Sequence, residues 1–333
     1  MQTPEIDVVG IGNAIVDIIA HADDAFLSRH GMPKGAMTLI DEAKAEALYI
    51  AMGPAVQLSG GSAANTIAGL ASLGAATGYI GKVRDDTLGH VFAHDIRSAG
   101  VRFPTQAATD GPATARCLIF VTPDAQRTMN TFLGSSANLS PADVDGELIR
   151  SAKITYLEGY LYDPPHAKAA FHRAAEIAHS AGRKVALSLS DRFCVERYRS
   201  EFRNLAELHI DYLFANESEI EALFETDVKS ALPRVVTAVE IAAVTHGAQG
   251  SLIATRNEQI HVRAAPVDRV VDTTGAGDLY AAGFLFGLAR ERPLAECGRL
   301  ASLAAAEIIS HYGGRPETPL SEYVRQREKG GLV

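Results

Sequence analysis

The stretch Asp272-Thr273-Thr274-Gly275-Ala276-Gly277-Asp278 places two glycines directly before a carboxylate, and an apolar, helix-like run follows it. Glycine lacks a Cβ, so this backbone can turn tightly and approach a ligand. The first N–H groups of a helix have no partner within the helix, and with the helix dipole they attract an anion. A carboxylate beside an anion site suits a base that takes the proton of a hydroxyl attacking a phosphoryl group. An ordinary glycine-rich turn is the alternative.

The composition is that of a globular protein with a sizeable core. The chain has 333 residues, of which 47% are hydrophobic and 21% charged, so it can form one large α/β domain with an appendage, or two domains. Its net charge of −9 argues against a nucleic-acid partner. Cys117, Cys194 and Cys297 are widely spaced, which favours reduced thiols. No leader-like segment or membrane-length apolar run is seen, so we expect a cytoplasmic protein without a membrane partner.

The first 20 residues contain two strand-like runs separated by a glycine turn, 6–13 and 14–20. Gly10 and Gly12 resemble a dinucleotide-binding fingerprint, but the third glycine is missing and a strand follows where a helix should begin. A Rossmann oxidoreductase is therefore disfavoured. Asp17 lies among apolar neighbours, and a buried carboxylate needs a partner. Two ligand hydroxyls or a structural arginine or backbone group would serve.

A second glycine turn, Gly60-Gly61, joins a short strand to a helix of small residues that ends at Gly74. Asn65 lies one turn into this helix and can direct a donor and an acceptor at whatever occupies the turn. Close packing of the helix on a sheet would explain the alanines equally well, but it does not require Asn65.

The order of elements predicts an α/β fold with a doubly wound, mostly parallel sheet flanked by helices. Strands and helices alternate from about residue 140, and ligands bind beyond the carboxyl ends of such strands. The turns at residues 216–219, 245–250 and 275–278 would share that edge. A hairpin at 115–132 interrupts the alternation and predicts a small separate sheet, with about 14–41 and 104–133 as its ranges. We expect the tail from Arg325 to be frayed.

Four motifs in one order resemble the PfkB family of ribokinase-like carbohydrate and nucleoside kinases. They are Gly60-Gly61 with Asn65, Asn216-x-x-Glu219, Thr245-x-Gly247-x-x-Gly250, and the stretch from Asp272 to Asp278. The resemblance spans nearly the whole chain, 1–333, and implies a ribokinase-like fold whose small sheet acts as a lid.

The resemblance also implies roles for residues. Asp278 would be the general base, and the amides of Gly275, Ala276 and Gly277 would form the anion hole for the transferred phosphoryl group. ATP and Mg²⁺ are the implied cofactors, with Asn216 and Glu219 organising Mg²⁺ through waters. The remaining implied ATP-binding residues are Thr245, Gly247, Gly250 and Thr274. Asp272 and Thr274 match a loop that binds a monovalent cation, K⁺, in many members.

Further segments resemble the adenosine kinase branch, among them 10–18, 157–161 and 187–193. This narrower resemblance implies that Asp17 and Asn65, with Gly60 and Gly61 alongside, hold ribose hydroxyls. Residues implied to line a base pocket are Asn13, Leu161 and Phe193.

Three functions remain open at this level. The first is a nucleoside kinase that prefers adenosine, and the second is a sugar kinase acting on ribose, fructose or 2-keto-3-deoxygluconate. A sugar acid requires a cation near its carboxylate, for which Arg116 and Arg192 are the candidates. The third is a non-catalytic binding protein, which the retention of base, anion hole and metal turn disfavours. We expect a monomer or a homodimer.

Overall fold

Two separate β-sheets contain the strands of the computed structural model, which describes residues 4–124 and 126–329. Ala125, within the predicted hairpin turn, and the glycines after Lys329 lie outside the described residues, as do residues 1–3. The strands are β1 (Ile6–Ile11), β2 (Ile15–His21), β3 (Met37–Leu39), β4 (Ala55–Gly60), β5 (Thr77–Ile80), β6 (Ala115–Val121), β7 (Arg127–Phe132), β8 (Ala152–Glu158), β9 (Lys184–Ser188), β10 (Tyr212–Asn216), β11 (Ile241–Thr245), β12 (Ser251–Ala254) and β13 (Gln259–Val262).

Helices connect these strands and cover the larger sheet. They are α1 (Asp24–Arg29), α2 (Glu42–Ala51), α3 (Ser62–Ser72), α4 (Thr87–Ser98), α5 (Gly146–Ser151), α6 (Pro165–Ser180), α7 (Arg192–Arg197), α8 (Arg199–His209), α9 (Glu217–Phe224), α10 (Val228–Ala238), α11 (Ala276–Ala289), α12 (Leu294–Ile308) and α13 (Leu320–Lys329). Among the described residues, no helix has the length and apolar character that a membrane crossing requires.

The large sheet has the strand order β13-β12-β11-β10-β9-β8-β1-β5. The pairs from β5 to β11 are parallel, and β12 and β13 are antiparallel. Side chains alternate between its two faces, so Val8 packs in one core with α3 and α11 while Val9 packs in the other with α6. Burial on both faces explains why these strands are continuous apolar runs. The predicted doubly wound α/β fold is confirmed.

The small sheet has the order β3-β7-β6-β2-β4. Its β2 follows β1 after only three residues, so the chain passes directly from one sheet to the other. One face packs against α1 and α2 through Ile18, Leu118 and Phe120. The other face carries Asp17. The predicted ranges 14–41 and 104–133 contain four of its strands, but β4 lies outside them.

The structure adds one helix and corrects one local prediction. The helix α10 was not predicted, because Pro233 lies within it and interrupts the sequence pattern; Asp227 caps its first turn by accepting from the Ser230 N–H. The tail from Arg325 is helical as far as Lys329, because α13 buries Leu320 and Val324.

A close contact between α11 and α12 depends on Gly283, where an added Cβ would lie 2.5 Å from the Leu300 carbonyl oxygen. We expect Gly283→Ala to lower the free energy of unfolding by about 2 kcal/mol, because a backbone contact cannot yield without moving a helix. Chemical denaturation measures this change. Gly53→Ala is the control, since none of the described atoms lies within 4 Å of the added Cβ. Equal effects of both variants would contradict the packing argument.

Candidate active site

The carboxylate of Asp278 is held by two donors from the first turn of another helix. Its Oδ1 accepts from the Ser62 hydroxyl (2.7 Å) and its Oδ2 accepts from the Asn65 Nδ2 (3.0 Å). Burial raises the pKa of Asp278, against these two hydrogen bonds and the charge of Arg315. The arrangement fixes a carboxylate of raised basicity in the first turn of α11. Such a group can take the proton of a hydroxyl.

The turn before Asp278 is open. Gly275 is the N-cap of α11 with φ of 77°, a backbone conformation that favours glycine. At Gly277 an added Cβ would meet no described atom within 4 Å. The Ala276 N–H donates to the Thr273 carbonyl (3.2 Å), so an anion at this turn would be bound mainly by the other N–H groups of the first turn of α11.

The first turn of α3 is itself capped from a distance. Its N-cap, Gly61, has no side chain, and Glu158 at the end of β8 accepts from the Ala63 N–H (2.7 Å). The same buried carboxylate accepts from Nδ2 (2.6 Å) and the backbone N–H (3.3 Å) of Asn13. Burial raises the pKa of Glu158 to about 7. Glu158 thereby fixes the turn that carries Ser62 and Asn65.

Asp17 reaches the site from the small sheet. Its carboxylate lies over Gly60, where an added Cβ would be 2.3 Å from Oδ2. Burial raises the pKa of Asp17 to about 6; the charges of Arg127 and Arg315 oppose the rise and that of Asp278 adds to it. Within the described residues this carboxylate accepts no hydrogen bond. Its oxygens are free for ligand hydroxyls, the first of the two partners that the sequence suggests.

Two residues implied for a base pocket are engaged inside the protein. Leu161 is buried in the core beneath α6. Asn13 is also buried, and its Oδ1 accepts from the Ser136 hydroxyl (3.0 Å) while its Nδ2 binds Glu158. Neither side chain is open to a ligand in this structure. The implied roles of Asn13 and Leu161 are therefore not supported by their surroundings.

Aromatic rings are available at neighbouring positions. Tyr160, one residue before Leu161, is 37% exposed, and Phe193 is 72% exposed. Burial raises the pKa of Tyr160, and the charges of Asp191 and Asp278 add to the rise, so its ring lies among the acidic groups of this edge. Tyr160 was not predicted as a site residue, because it lies in a 3-10 helix, Gly159–Tyr162, in which the alternation of residue types does not show which side chains are buried.

Residues 216–219 and 245–250 meet at the carboxyl edge of the large sheet, where Asn216 pairs in register with Thr245. Asn216 caps α9, and its N–H and Nδ2 donate to the two oxygens of Glu219. Burial raises the pKa of Glu219 to about 7. Gly250 has φ of 97°, and an added Cβ would lie 2.0 Å from the Val262 oxygen.

These residues do not form a preformed metal cage. Each oxygen of Glu219 already accepts a hydrogen bond from Asn216, and the described residues contain no group of three His, Cys, Asp or Glu suited to a metal ion. The donor set fits a Mg²⁺ held mainly by phosphate oxygens and reached from Asn216 and Glu219 through water.

Asp272 joins the turn before α11 to the small sheet. It forms an ion pair with Arg127 of β7, and its carboxylate accepts from the N–H groups of Thr274 (3.0 Å) and Gly313 (3.2 Å). Burial favours a raised pKa, but the Thr274 hydrogen bonds and the Arg127 charge outweigh it, so the pKa of Asp272 is lowered. Asp272 thus stays ionised and shapes the turn before Gly275.

The two candidate cations for a sugar acid lie elsewhere. Arg116 is paired with Val16 and is therefore on the opposite face of the small sheet from Asp17; it binds Glu46 (3.0 Å). Arg192 binds Glu196 (2.8 Å) at the surface. The cations that do act on Asp17 are Arg127 and Arg315, and Arg315 also acts on Asp278. Arg315 was not predicted as a site residue, because it belongs to no motif and its partners are far away in the chain.

The pfkB family carbohydrate kinase pattern matches residues 42–320. The chain belongs to this family. It is therefore a kinase, a phosphotransferase that acts on hydroxyl groups.

Solved structures and curated relatives agree with this assignment. A probable sugar kinase from Rhizobium etli superposes with a TM-score of 0.91 at 47% identity, covering 99% of this chain and 100% of the other. The adenosine kinase from Sinorhizobium meliloti gives a TM-score of 0.90 at 52% identity, with coverages of 97% and 99%. A 5-dehydro-2-deoxygluconokinase from Geobacillus kaustophilus is 27% identical, covering 82% of this chain and 87% of its own.

Glu158 provides a test of how the first turn of α3 positions Asp278. Three N–H donors face the carboxylate, so Glu158→Gln directs an amide N–H₂ at one of them and loosens the first turn of α3. We expect kcat to fall about tenfold, because Ser62 and Asn65 then hold Asp278 less accurately. Steady-state kinetics on folded protein measure this change.

The control is Asp211→Asn, which alters a carboxylate that accepts from the Val185 N–H (2.7 Å) at the opposite edge of the sheet. We expect lower stability but an unchanged kcat. A normal kcat in Glu158→Gln would show that α3 does not need this carboxylate.

Proposed function

We propose that this PfkB-family protein is an ATP-dependent nucleoside kinase that phosphorylates the primary hydroxyl of adenosine. The surroundings of Asp17 are the observation that favours adenosine as the acceptor. Its carboxylate is free for hydroxyls, the exposed rings of Tyr160 and Phe193 lie at the same edge, and both candidate cations for a sugar acid are paired elsewhere. Exposed aromatic rings suit a planar base.

The acceptor is oriented by residues of both sheets in this proposal. Asp17 accepts hydrogen bonds from two vicinal ribose hydroxyls, while Gly60 leaves room for its carboxylate. The primary hydroxyl then faces Asp278. The small sheet acts as a lid that excludes water, which prevents hydrolysis of ATP.

The chemical step transfers the γ-phosphoryl group and one proton. The hydroxyl oxygen forms a bond to phosphorus as the bond to the ADP oxygen breaks, and the hydroxyl proton passes to Asp278. The amides of residues 275–277 and the dipole of α11 stabilise the negative charge on the phosphoryl oxygens. Mg²⁺ would neutralise charge on the ATP phosphates. Ser62 and Asn65 keep Asp278 aligned throughout.

The nucleotide side uses the edge formed by β10 and β11. Asn216, Thr245, Gly247 and Gly250 lie in its two turns, and at Gly247, with φ of 54°, an added Cβ would meet no described atom within 4 Å, so this turn leaves room for a ligand. We propose that ATP binds here. We propose Asp272 and Thr274 as the residues nearest to a K⁺ site. The Asp272 carboxylate already contacts Arg127, Thr274 and Gly313, so a K⁺ ion would compete with these contacts.

Removal of the base tests the mechanism. We expect Asp278→Asn to lower kcat by at least about a hundredfold, because the amide cannot accept the proton, with little change in ATP binding. Coupled turnover and calorimetric ATP titration measure the two quantities. Near-normal turnover by this variant would exclude Asp278 as the base.

A screen of acceptors tests the substrate. We expect turnover of adenosine to exceed that of inosine, guanosine, ribose, fructose and 2-keto-3-deoxygluconate. The sugar kinase alternative is favoured by the Rhizobium etli and Geobacillus relatives. Turnover of a sugar or sugar acid without turnover of adenosine would overturn the proposed acceptor and leave the kinase chemistry intact.

A further inference from the structure

Arg315 binds both sides of the turn that joins β4 of the small sheet to α3. Its Nε donates to the Ser59 carbonyl (3.1 Å) and one terminal nitrogen to the Ser59 hydroxyl (3.2 Å). The other terminal nitrogen donates to the Ala64 carbonyl. Ser59 belongs to β4 of the small sheet and Ala64 to the first turn of α3. One guanidinium therefore bridges the Gly60-Gly61 turn.

The charge of Arg315 lies near carboxylates from both sheets. It opposes the raised pKa of Asp17 and that of Asp278, while burial lowers the pKa of Arg315 itself to about 10. The two carboxylates face the same acceptor site and repel each other. A cation close to two carboxylates favours the ionised form of both.

The three nitrogens of this guanidinium are already engaged with the protein. Three of its five N–H donors are used in this way, which fixes the guanidinium in place. Its fork is matched to two carbonyls and a hydroxyl, a geometry that lysine cannot reproduce. The position thus combines two separable properties, a three-point bridge and a positive charge.

We propose that Arg315 is a positioning residue that fixes the small sheet relative to α3 and supplies the charge that keeps Asp17 and Asp278 ionised together. The proposal rests on the proposed kinase function of this site. It predicts that acceptor binding and the protonation of the base are coupled through one side chain.

Other titratable groups face the same three side chains. Around Arg315 these are Tyr79 of β5 and Asp95 of α4. Around Asp17 and Asp278 they are Cys117, Arg127, Tyr156, Glu158 and Tyr160. These groups are present in every Arg315 variant. The difference between Arg315→Lys and Arg315→Gln therefore reports the effect of the charge at this position.

Two substitutions separate the bridge from the charge. Arg315→Lys keeps the charge and loses the fork, so we expect the acceptor KM to rise about tenfold with KM for ATP within about twofold of wild type. Arg315→Gln loses the charge, so we expect the acid limb of the kcat/KM profile to move up by about one pH unit as well. In Arg315→Lys the acid limb of the kcat/KM profile should stay at the pH of the wild type.

Arg203→Gln is the matched control, because Arg203 is a partly buried arginine whose Nε donates to the Leu223 carbonyl between two helices away from this site. We expect wild-type kinetics from it. Ser59→Ala is a milder variant that removes one acceptor of the bridge and leaves the charge. It should raise the acceptor KM without moving the acid limb, even where the Arg315 variants fold poorly.

A second measurement does not depend on turnover. The folded pKa of Asp17 is raised above the ordinary value, so its contribution to stability is lost as pH rises from about 4 to about 6. In Arg315→Gln this loss of stability should continue to a pH about one unit higher, because the pKa values of Asp17 and Asp278 rise further without the positive charge. The midpoint of thermal unfolding, measured from pH 4.5 to 8 for all variants, reports this.

The outcomes separate the two proposals. An unchanged acid limb and an unchanged stability profile in Arg315→Gln would overturn the role of the charge. An unchanged acceptor KM in Arg315→Lys and Ser59→Ala would overturn the bridge. A wild-type chain inactive on every acceptor would contradict the proposed function, and the stability profiles would still decide whether Arg315 controls the two carboxyls.

Discussion

Two hydrogen bonds from α3 to Asp278 are the contacts on which the site depends. They join residues separated by 216 and 213 positions in the chain, so they exist only when α3 and α11 pack closely. Small residues permit this approach. At Gly69 an added Cβ would lie 2.5 Å from Leu279 and 3.0 Å from Ala282. The small residues of both helices therefore do two things: they allow a densely packed core, and they bring α3 close enough to orient the Asp278 carboxylate.

Local patterns in the sequence were sufficient for the parts of the site that are built from one turn. The glycine turn before Asp278 and the isolated position of Asp17 among apolar neighbours were predicted because each follows from its immediate neighbours. The α/β order and the small sheet were predicted from the alternation of elements. The strand β4 was recognised as a strand, but its membership of the small sheet depends on pairing with β2, which no local pattern records.

The residues that were missed act across the fold. Ser62, Glu158 and Arg315 gain their roles from partners that are far away in the chain. Tyr160 was missed for a different reason, since the phase of a short 3-10 helix decides that it, and not Leu161, is exposed. In each case the missing information is a tertiary contact or an orientation, and neither is encoded in residue type and spacing alone.

The site holds several carboxylates whose pKa values are raised by burial, to about 6 at Asp17 and about 7 at Glu158 and Glu219. A raised carboxyl pKa means that the folded state binds protons more tightly than the unfolded chain, so these groups lower stability as the pH rises toward neutrality. Donors fixed by the backbone, such as the Ala63 N–H, limit that cost.

The glycines beneath these carboxylates restrict how the protein can diversify. An added Cβ at Gly12 would lie 2.4 Å from Glu158, and at Gly60 it would lie 2.3 Å from Asp17, so neither position accepts a side chain while the carboxylate is retained. The floor of the candidate site therefore cannot change gradually by substitution at these two glycines. Tyr160 and Phe193 at the exposed edge carry no such restriction. Evolution or engineering of acceptor preference in this fold would therefore proceed from the edge of the site, with its floor unchanged.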